Sequence, residues 1–405
     1  MKILLVNKFH YIKGGSETYY FTLAKALEER GHQVVYFAMK DPKNLPCKQE
    51  CYFVSNASVR GGISSRLKML LHIAYSKEAY NQMRRLLIVE KPDLVLLNLV
   101  HKQITLSIID AIKEYDPTLP IFWTMHDLIA ICPSYTMLDG SGRICEKCLP
   151  GSYLPCIENR CIKGNRLMSV LSWYEAKYIH KRKWYDQVDL FICPSEFYRK
   201  KLSAARFTKS EIITMRNPLP SNTEYFCGTR GDYVLYFGRI SHEKGIKTLI
   251  DAAKITECRL IILGKGPAEV ELKEYAKFAP NISFEGFQSG ENLRKYVRES
   301  CCVVLPSEWY ENGPYSAMEA MAVGKPLIVS DKGGLPELVE NGETGYVYTG
   351  GSEELAVCIT KMLALDAQEY YRLSRNAMEK AKALFGADAY AREIENRYFG
   401  LKRSE

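Results

Sequence analysis

Short apolar runs alternate with amphipathic stretches from the start of the chain: ILLV (Ile3–Val6), then TYYFTLAKALEERG with helical spacing, then QVVYFA. This is the β-α-β rhythm of a parallel sheet, and Gly31 stands where the first helix is expected to stop. Further strands are predicted at DLVLLN (Asp93–Asn98), PIFWTM (Pro120–Met125) and DLFICPS (Asp189–Ser195), whose continuous apolar character suits strands covered on both faces. After RNPLP (Arg216–Pro220) the rhythm restarts with YVLYFG, RLIILG, NISFEG, CCVVLPS and KPLIVS. The expectation is an α/β protein of two doubly wound parallel-sheet domains facing a cleft, residues 1–218 and 219–385, followed by a terminal helix over residues 386–405. A long insertion, residues 131–165, is assigned between the third and fourth strands of the first half. It is too long for a plain connection in a compact domain.

Length and composition agree with this division. A chain of 405 residues exceeds one ordinary domain of about 200 residues. With 47% hydrophobic and 25% charged residues, it is globular and not disordered. No apolar run reaches the about 18 residues of a spanning helix. The opening MKILLVNKFH turns polar after Val6 and lacks a small-residue cleavage site, so it reads as a first strand and not as a signal peptide. Residues 1–190 hold 26 Lys and Arg against 18 Asp and Glu, which accounts for the whole net charge of +8; residues 191–405 hold 29 of each. A basic front half suits a membrane surface, a phosphate-bearing acceptor or nucleic acid, and a merely solvated basic face stays open beside these. Thirteen cysteines without a secretory signal point to a reducing compartment. Cys301 and Cys302 read as ordinary strand residues.

The densest chemical signal is SEWYENGPYSAMEAMAVGKPLIVSDKGGL, from Ser307 to Leu335. A strand ends there in a polar loop carrying Glu311, and a helix starts near Pro314 with Glu319 on it. Backbone amides of Tyr315 and Ser316 at that helix start suit an anion. Glu319, read as a buried carboxylate, suits two ribose hydroxyls. YFGRISHEKG places Arg239 and Lys244 just past a strand, one planar fork and one point charge suited to a diphosphate. LGKGP with Gly264 and EGF with Phe287 follow successive strands and add ligand-facing loops. In the front half, KGGSETYYF brings Gly14 and Gly15 to a helix N-terminus, and WTMHD puts His126 directly after a strand. The GxGxxG fingerprint is missing and no acidic residue ends the second strand, which removes the main support for a nicotinamide or flavin enzyme.

GRISHEKG, ENGPYSAMEAMAVGKP and GGLPELVENGETGYVY together resemble the large retaining glycosyltransferase family 4, with two Rossmann-like domains in the GT-B arrangement. The resemblance covers nearly the whole chain. It implies that Arg239 and Lys244 bind the diphosphate of a nucleotide-sugar donor, that Glu319 binds its ribose, and that Glu311 lies near the transferred sugar. It implies that Gly15 sits against the diphosphate, that His126 contacts the sugar, and that backbone near Phe287 meets the nucleobase. The terminal helix is implied to cross back to the first domain, which takes the acceptor. Where the family commonly has Gly-Phe-Gly after the first glutamate, this chain has Asn312-Gly313-Pro314-Tyr315, which leaves the donor sugar open.

The resulting expectation is a retaining hexosyltransferase acting on a glycan or lipid-linked glycan, as in bacterial-type surface polysaccharide synthesis. It would be cytoplasmic, and in its membrane-attached version peripheral at the inner face of the plasma membrane. No Asp-x-Asp motif occurs, so catalysis is expected without a metal. Separately, Cys145, Cys148, Cys156 and Cys161 have spacing suited to a structural zinc, with free or paired thiols, or a redox cluster, as the alternatives. The stretches from Ser64 (SSRLKMLLHIAY) and Asn165 (NRLMSVLSWYEAKYIHKRKWYD) mix basic and aromatic residues as membrane-interface helices do; a core-facing helix with a basic outer side is the alternative. A nucleotide-sugar epimerase on the same fold and a zinc-stapled nucleic-acid binder are the competing readings. The first leaves the Glu311, Glu319, Arg239 and Lys244 set unexplained, and the second leaves the second domain without a role, so no nucleic-acid partner is expected.

Overall fold

The computed structural model describes residues 1–56, 74–149 and 151–404. All but the last two residues of the Ser64–Tyr75 stretch lie outside them. The chain forms two compact units, Met1–Ser221 with Ala387–Glu405, and Asn222–Gly386.

In the first unit six parallel strands follow the order β2-β1-β3-β4-β5-β6. They are β1 (Lys2–Val6), β2 (Gln33–Phe37), β3 (Leu94–Leu97), β4 (Ile121–Thr124), β5 (Leu190–Cys193) and β6 (Glu211–Thr214). Every residue of β3, β4 and β5 is buried, as their unbroken apolar runs require. Its helices among the described residues include α1 (Gly15–Glu29), α2 (Lys77–Glu90), α3 (Ser107–Tyr115), α4 (Leu154–Glu158), α5 (Arg166–Arg182) and α6 (Glu196–Ala205). Three start on side-chain caps, from Ser76, Asn165 and Ser195. β1 pairs with β2 on one side and β3 on the other, so the strand order reverses there.

The second unit has the order β12-β11-β10-β7-β8-β9, again parallel. Its strands are β7 (Val234–Phe237), β8 (Leu260–Leu263), β9 (Ile282–Gly286), β10 (Cys302–Leu305), β11 (Leu327–Ser330) and β12 (Gly345–Tyr348). The helices are α7 (Ile246–Thr256), α8 (Glu269–Ala276), α9 (Gly290–Glu299), α10 (Tyr315–Ala322), α11 (Ser352–Ala364) and α12 (Ala367–Leu384), the last begun by an Asp366–Glu369 capping box. The reversal falls between β7 and β10, where Val234 stands beside Cys302 and Leu235 beside Val303.

The terminal helix α13 (Ala387–Ser404) belongs to the first unit and packs on α1. Tyr390 shares a hydroxyl hydrogen bond of 2.9 Å with Tyr19, and the Arg30 guanidinium grips both carboxylate oxygens of Glu395 at 2.7 Å. His32 Nε2 meets the same carboxylate at 2.6 Å.

Several expectations are corrected. The long insertion lies between β4 and β5, not between the third and fourth strands. Two edge strands, β6 and β12, escaped the sequence reading because neither carries a fully apolar run; β6 is exposed to half-buried along its length. In the Asn165 stretch, Trp184 and Tyr185, which follow α5, are buried core residues, while Trp173, Tyr174 and Tyr178 on the helix are half-buried. No helix among the described residues is long and apolar enough to cross a membrane.

The insertion has its own small core of Cys148, Tyr153, Cys156, Ile162 and Ala176, with Cys161 and Trp173 against it. Cys156 and Cys161 share a hydrogen bond that pushes the Cys156 thiol up and holds Cys161 down. Among the described residues no three His, Cys, Asp or Glu side chains are arranged to hold a metal ion. No disulfide joins Cys145, Cys148, Cys156 or Cys161.

Candidate functional site

Ligands of open α/β sheets bind past the carboxyl ends of strands where the order reverses. In the second unit that point is flanked by the β7 loop, carrying Arg239 and Lys244, and by the β10 loop, carrying Glu311. Lys244 Nζ lies 2.6 Å from Glu311 Oε1. The same oxygen accepts from Ser307 Oγ at 2.6 Å and Trp309 Nε1 at 2.9 Å, and Lys244 stands over the Trp309 ring at 5.0 Å. Burial alone would raise the Glu311 carboxyl. The Lys244 charge and three donated hydrogen bonds outweigh it and hold the group below the ordinary glutamate value.

Close backbone packing fixes this arrangement. A Cβ on Gly245 would lie 1.9 Å from Pro306 O, and one on Gly333 would lie 2.3 Å from Glu311 O; both residues have positive φ. Gly334 N–H donates to the Glu311 carbonyl at 2.7 Å, and Ser330 Oγ donates to the Ser307 carbonyl at 2.6 Å. The β11 end thus clamps the β10 loop. Gly264 packs the β8 loop on the β7 loop, where a Cβ would meet Gly238 O at 1.8 Å.

Arg239 is exposed, and among the described residues its guanidinium makes no ion pair. Pro314 caps α10 without a side-chain hydrogen bond, leaving Tyr315 and Ser316 in the first turn at the positive end of the helix dipole. Glu319 is a correction: it was expected buried, yet its side chain is exposed on α10. Crowding by surrounding atoms nevertheless pushes its carboxyl up to about 7. Phe287 follows β9 and is exposed.

Gly14, Gly15 and His126 belong to the first unit. Gly14 caps α1, and Gly15 is its first residue. His126 follows β4, and its ring packs 4.7 Å from that of Tyr19. Burial pushes its imidazole down to about 3, so it is neutral near pH 7, and its buried Nε2 has no hydrogen-bond partner. Ser307, Trp309 and Gly333 were missed. All three lie inside the quoted motif, but nothing in their spacing announces convergence on one carboxylate.

Residues 13–221 match the family model described as Glycosyltransferase Family 4, and residues 228–380 that of Glycosyl transferases group 1. An uncharacterized glycosyltransferase of Methanocaldococcus jannaschii is 32% identical over 174 residues, 41% of this chain and 44% of that protein. The alpha-D-kanosaminyltransferase of Streptomyces kanamyceticus is 30% identical over 174 residues, 41% of this chain and 45% of its own. A putative colanic acid biosynthesis glycosyltransferase of Escherichia coli is 25% identical over 228 residues, 52% and 53% of the two chains. The chain thus spans about half the length of these curated relatives. Among solved structures, sucrose-phosphate synthase of Thermosynechococcus elongatus superposes with a TM-score of 0.69 at 20% identity, covering 100% of both chains. HepE of Anabaena, solved in complex with UDP-glucose, gives 0.64 at 19% identity, covering 98% of this chain and 100% of its own. These likenesses show the GT-B fold.

Proposed function

We propose that this chain, which belongs to Glycosyltransferase Family 4 and is a glycosyltransferase, moves a sugar from a nucleotide-diphosphate donor to a glycan or lipid-linked glycan acceptor with retention at the anomeric carbon. The observation that carries the reading is the Lys244–Glu311 ion pair beside the exposed Arg239, at the strand reversal of the second unit. A UDP-glucose complex of the similarly folded HepE supports a nucleotide-sugar donor, and a colanic acid transferase among the relatives supports a surface-glycan acceptor.

In this reading Arg239 and Lys244 receive the donor diphosphate, with the first turn of α10 at Pro314, Tyr315 and Ser316 beside it. Glu319 accepts ribose hydroxyls, Glu311 meets the transferred sugar, and backbone near Phe287 meets the base. As the C1–O bond breaks, positive charge grows on the sugar and negative charge on the leaving phosphate. Fixed cations and helix amides stabilise that phosphate without a required metal ion. Glu311, kept ionised by Lys244, stabilises the positive sugar ring.

A panel of nucleotide sugars tested by thermal denaturation checks the reading. A true donor at about 100 times its Kd adds about 2.7 kcal/mol to stability. No stabilisation by any nucleotide sugar or nucleotide diphosphate would sink it.

A further inference from the structure

Trp309 has no donor contact in the transferase reading, yet it touches both members of the Lys244–Glu311 pair. It follows β10 and is half-buried. Its indole Nε1 donates to Glu311 Oε1 at 2.9 Å, and its ring carries the Lys244 ammonium 5.0 Å from the centroid. Ser307 Oγ and Lys244 Nζ reach the same oxygen, each at 2.6 Å. All three donors therefore meet Oε1, and among the described residues none donates to Oε2.

Donors gathered on one oxygen fix the rotation of a carboxylate and leave its second oxygen to a ligand. The three are not equivalent. Lys244 is a cation, and in the transferase reading it is shared with the donor diphosphate. Ser307 offers a hydroxyl that rotates and can accept as well as donate. The indole N–H only donates, a rigid ring sets its direction, and it brings no charge that would cancel the carboxylate. The same ring holds the Lys244 cation beside Glu311 through its face. The titratable groups that act on Glu311 are Lys244 from the β7 loop and the Tyr236 phenol of β7, which burial pushes up and keeps neutral.

We propose that Trp309 is a positioning residue for sugar transfer, which pins Glu311 through Oε1 and so presents Oε2 to the transferred sugar while Lys244 engages the diphosphate. The inference rests on the transferase reading above. The backbone around Glu311 is held already, by Ser330 Oγ on the Ser307 carbonyl at 2.6 Å and by Gly334 N–H on the Glu311 carbonyl at 2.7 Å. What remains to be set is the rotation of the side chain. Once Lys244 turns to the phosphate, Ser307 and Trp309 are the two donors that still set it, and Trp309 alone has a fixed direction.

Carboxyl-carbon NMR on the full chain, with Glu311→Gln identifying the signal, follows the Glu311 titration in the parent and in Trp309→Phe, which keeps a ring and loses the N–H. Circular dichroism shows whether each is folded, and Trp309→Leu takes the place of Trp309→Phe if the latter is not. The Glu311 midpoint is expected to rise by about one pH unit in the variant. With a nucleotide sugar that stabilises the parent, kcat is expected to fall about tenfold with KM little changed. An unchanged midpoint or an unchanged kcat would overturn the proposal. Thermal denaturation with the nucleotide-sugar panel separates the two readings. An unchanged midpoint in a chain that a nucleotide sugar stabilises would overturn this inference alone, whereas no stabilisation of the parent would overturn the donor reading and this inference with it.

Discussion

Lys244 Nζ and Glu311 Oε1 stand 2.6 Å apart, joining the loops after β7 and β10 by a largely buried ion pair. Removing one partner strands the other. Lys244→Met is expected to lower stability by about 2–4 kcal/mol, because Glu311 is left buried and charged. In the double variant with Glu311→Gln, most of that loss is expected to return, since Ser307 and Trp309 still find an oxygen acceptor. Urea unfolding of the four proteins of this cycle measures the coupling; strict additivity would contradict a direct pair.

Acid provides a second check on the same carboxylate. The Glu311 group lies below its ordinary value of 4.5 when folded. Its contribution is therefore fully present above that value and is lost as pH falls through the lowered folded one. Between about pH 3 and pH 6, the melting temperature of the parent should fall more steeply on acidification than that of Glu311→Gln. Parallel curves would remove the claim.

Glu319 should show the opposite sense. With its carboxyl near 7, the ionised form that accepts ribose hydroxyls becomes dominant only as pH rises through neutrality. Binding of a nucleotide diphosphate should therefore tighten between about pH 6 and pH 8 more in the parent than in Glu319→Gln, where only the phosphate titrates. Calorimetry at matched ionic strength reads the difference, and identical slopes would exclude Glu319 as the titrating contact.

Gly333 and Gly342 form a controlled pair. Both have positive φ, but a Cβ on Gly333 strikes the Glu311 backbone, whereas one on Gly342 meets nothing within 4 Å. Gly342→Ala is expected to cost about 1 kcal/mol of backbone strain. Gly333→Ala is expected to cost about 3 kcal/mol or more and to abolish sugar transfer, because Glu311 must move. Equal losses in denaturation and activity would show that the clamp is not needed.

Much of this was readable from the residue pattern. Strands with unbroken apolar runs, such as ILLV and CCVV, were placed because burial on both faces leaves a one-dimensional trace. The half-exposed β6 leaves none. Arg239, Lys244 and Glu311 were legible as chemistry, yet their geometry was not: that Lys244 pairs with Glu311 depends on β7 and β10 being neighbours, although 67 residues separate the two side chains. Gly264 was read as part of a ligand-facing loop from its place after a strand; that a Cβ there would strike the Gly238 backbone is visible only in the fold. The buried state assigned to Glu319 failed because helix periodicity does not say which face a ligand site leaves uncovered.

The most direct test of the donor site is calorimetric titration of the nucleotide diphosphate that stabilises the parent best into the parent, Arg239→Ala and Lys244→Ala. Loss of a charge-assisted contact to phosphate is expected to weaken binding by about tenfold or more in each variant. Unchanged affinity in both folded variants would contradict the assignment of the donor site to Arg239, Lys244 and Glu311.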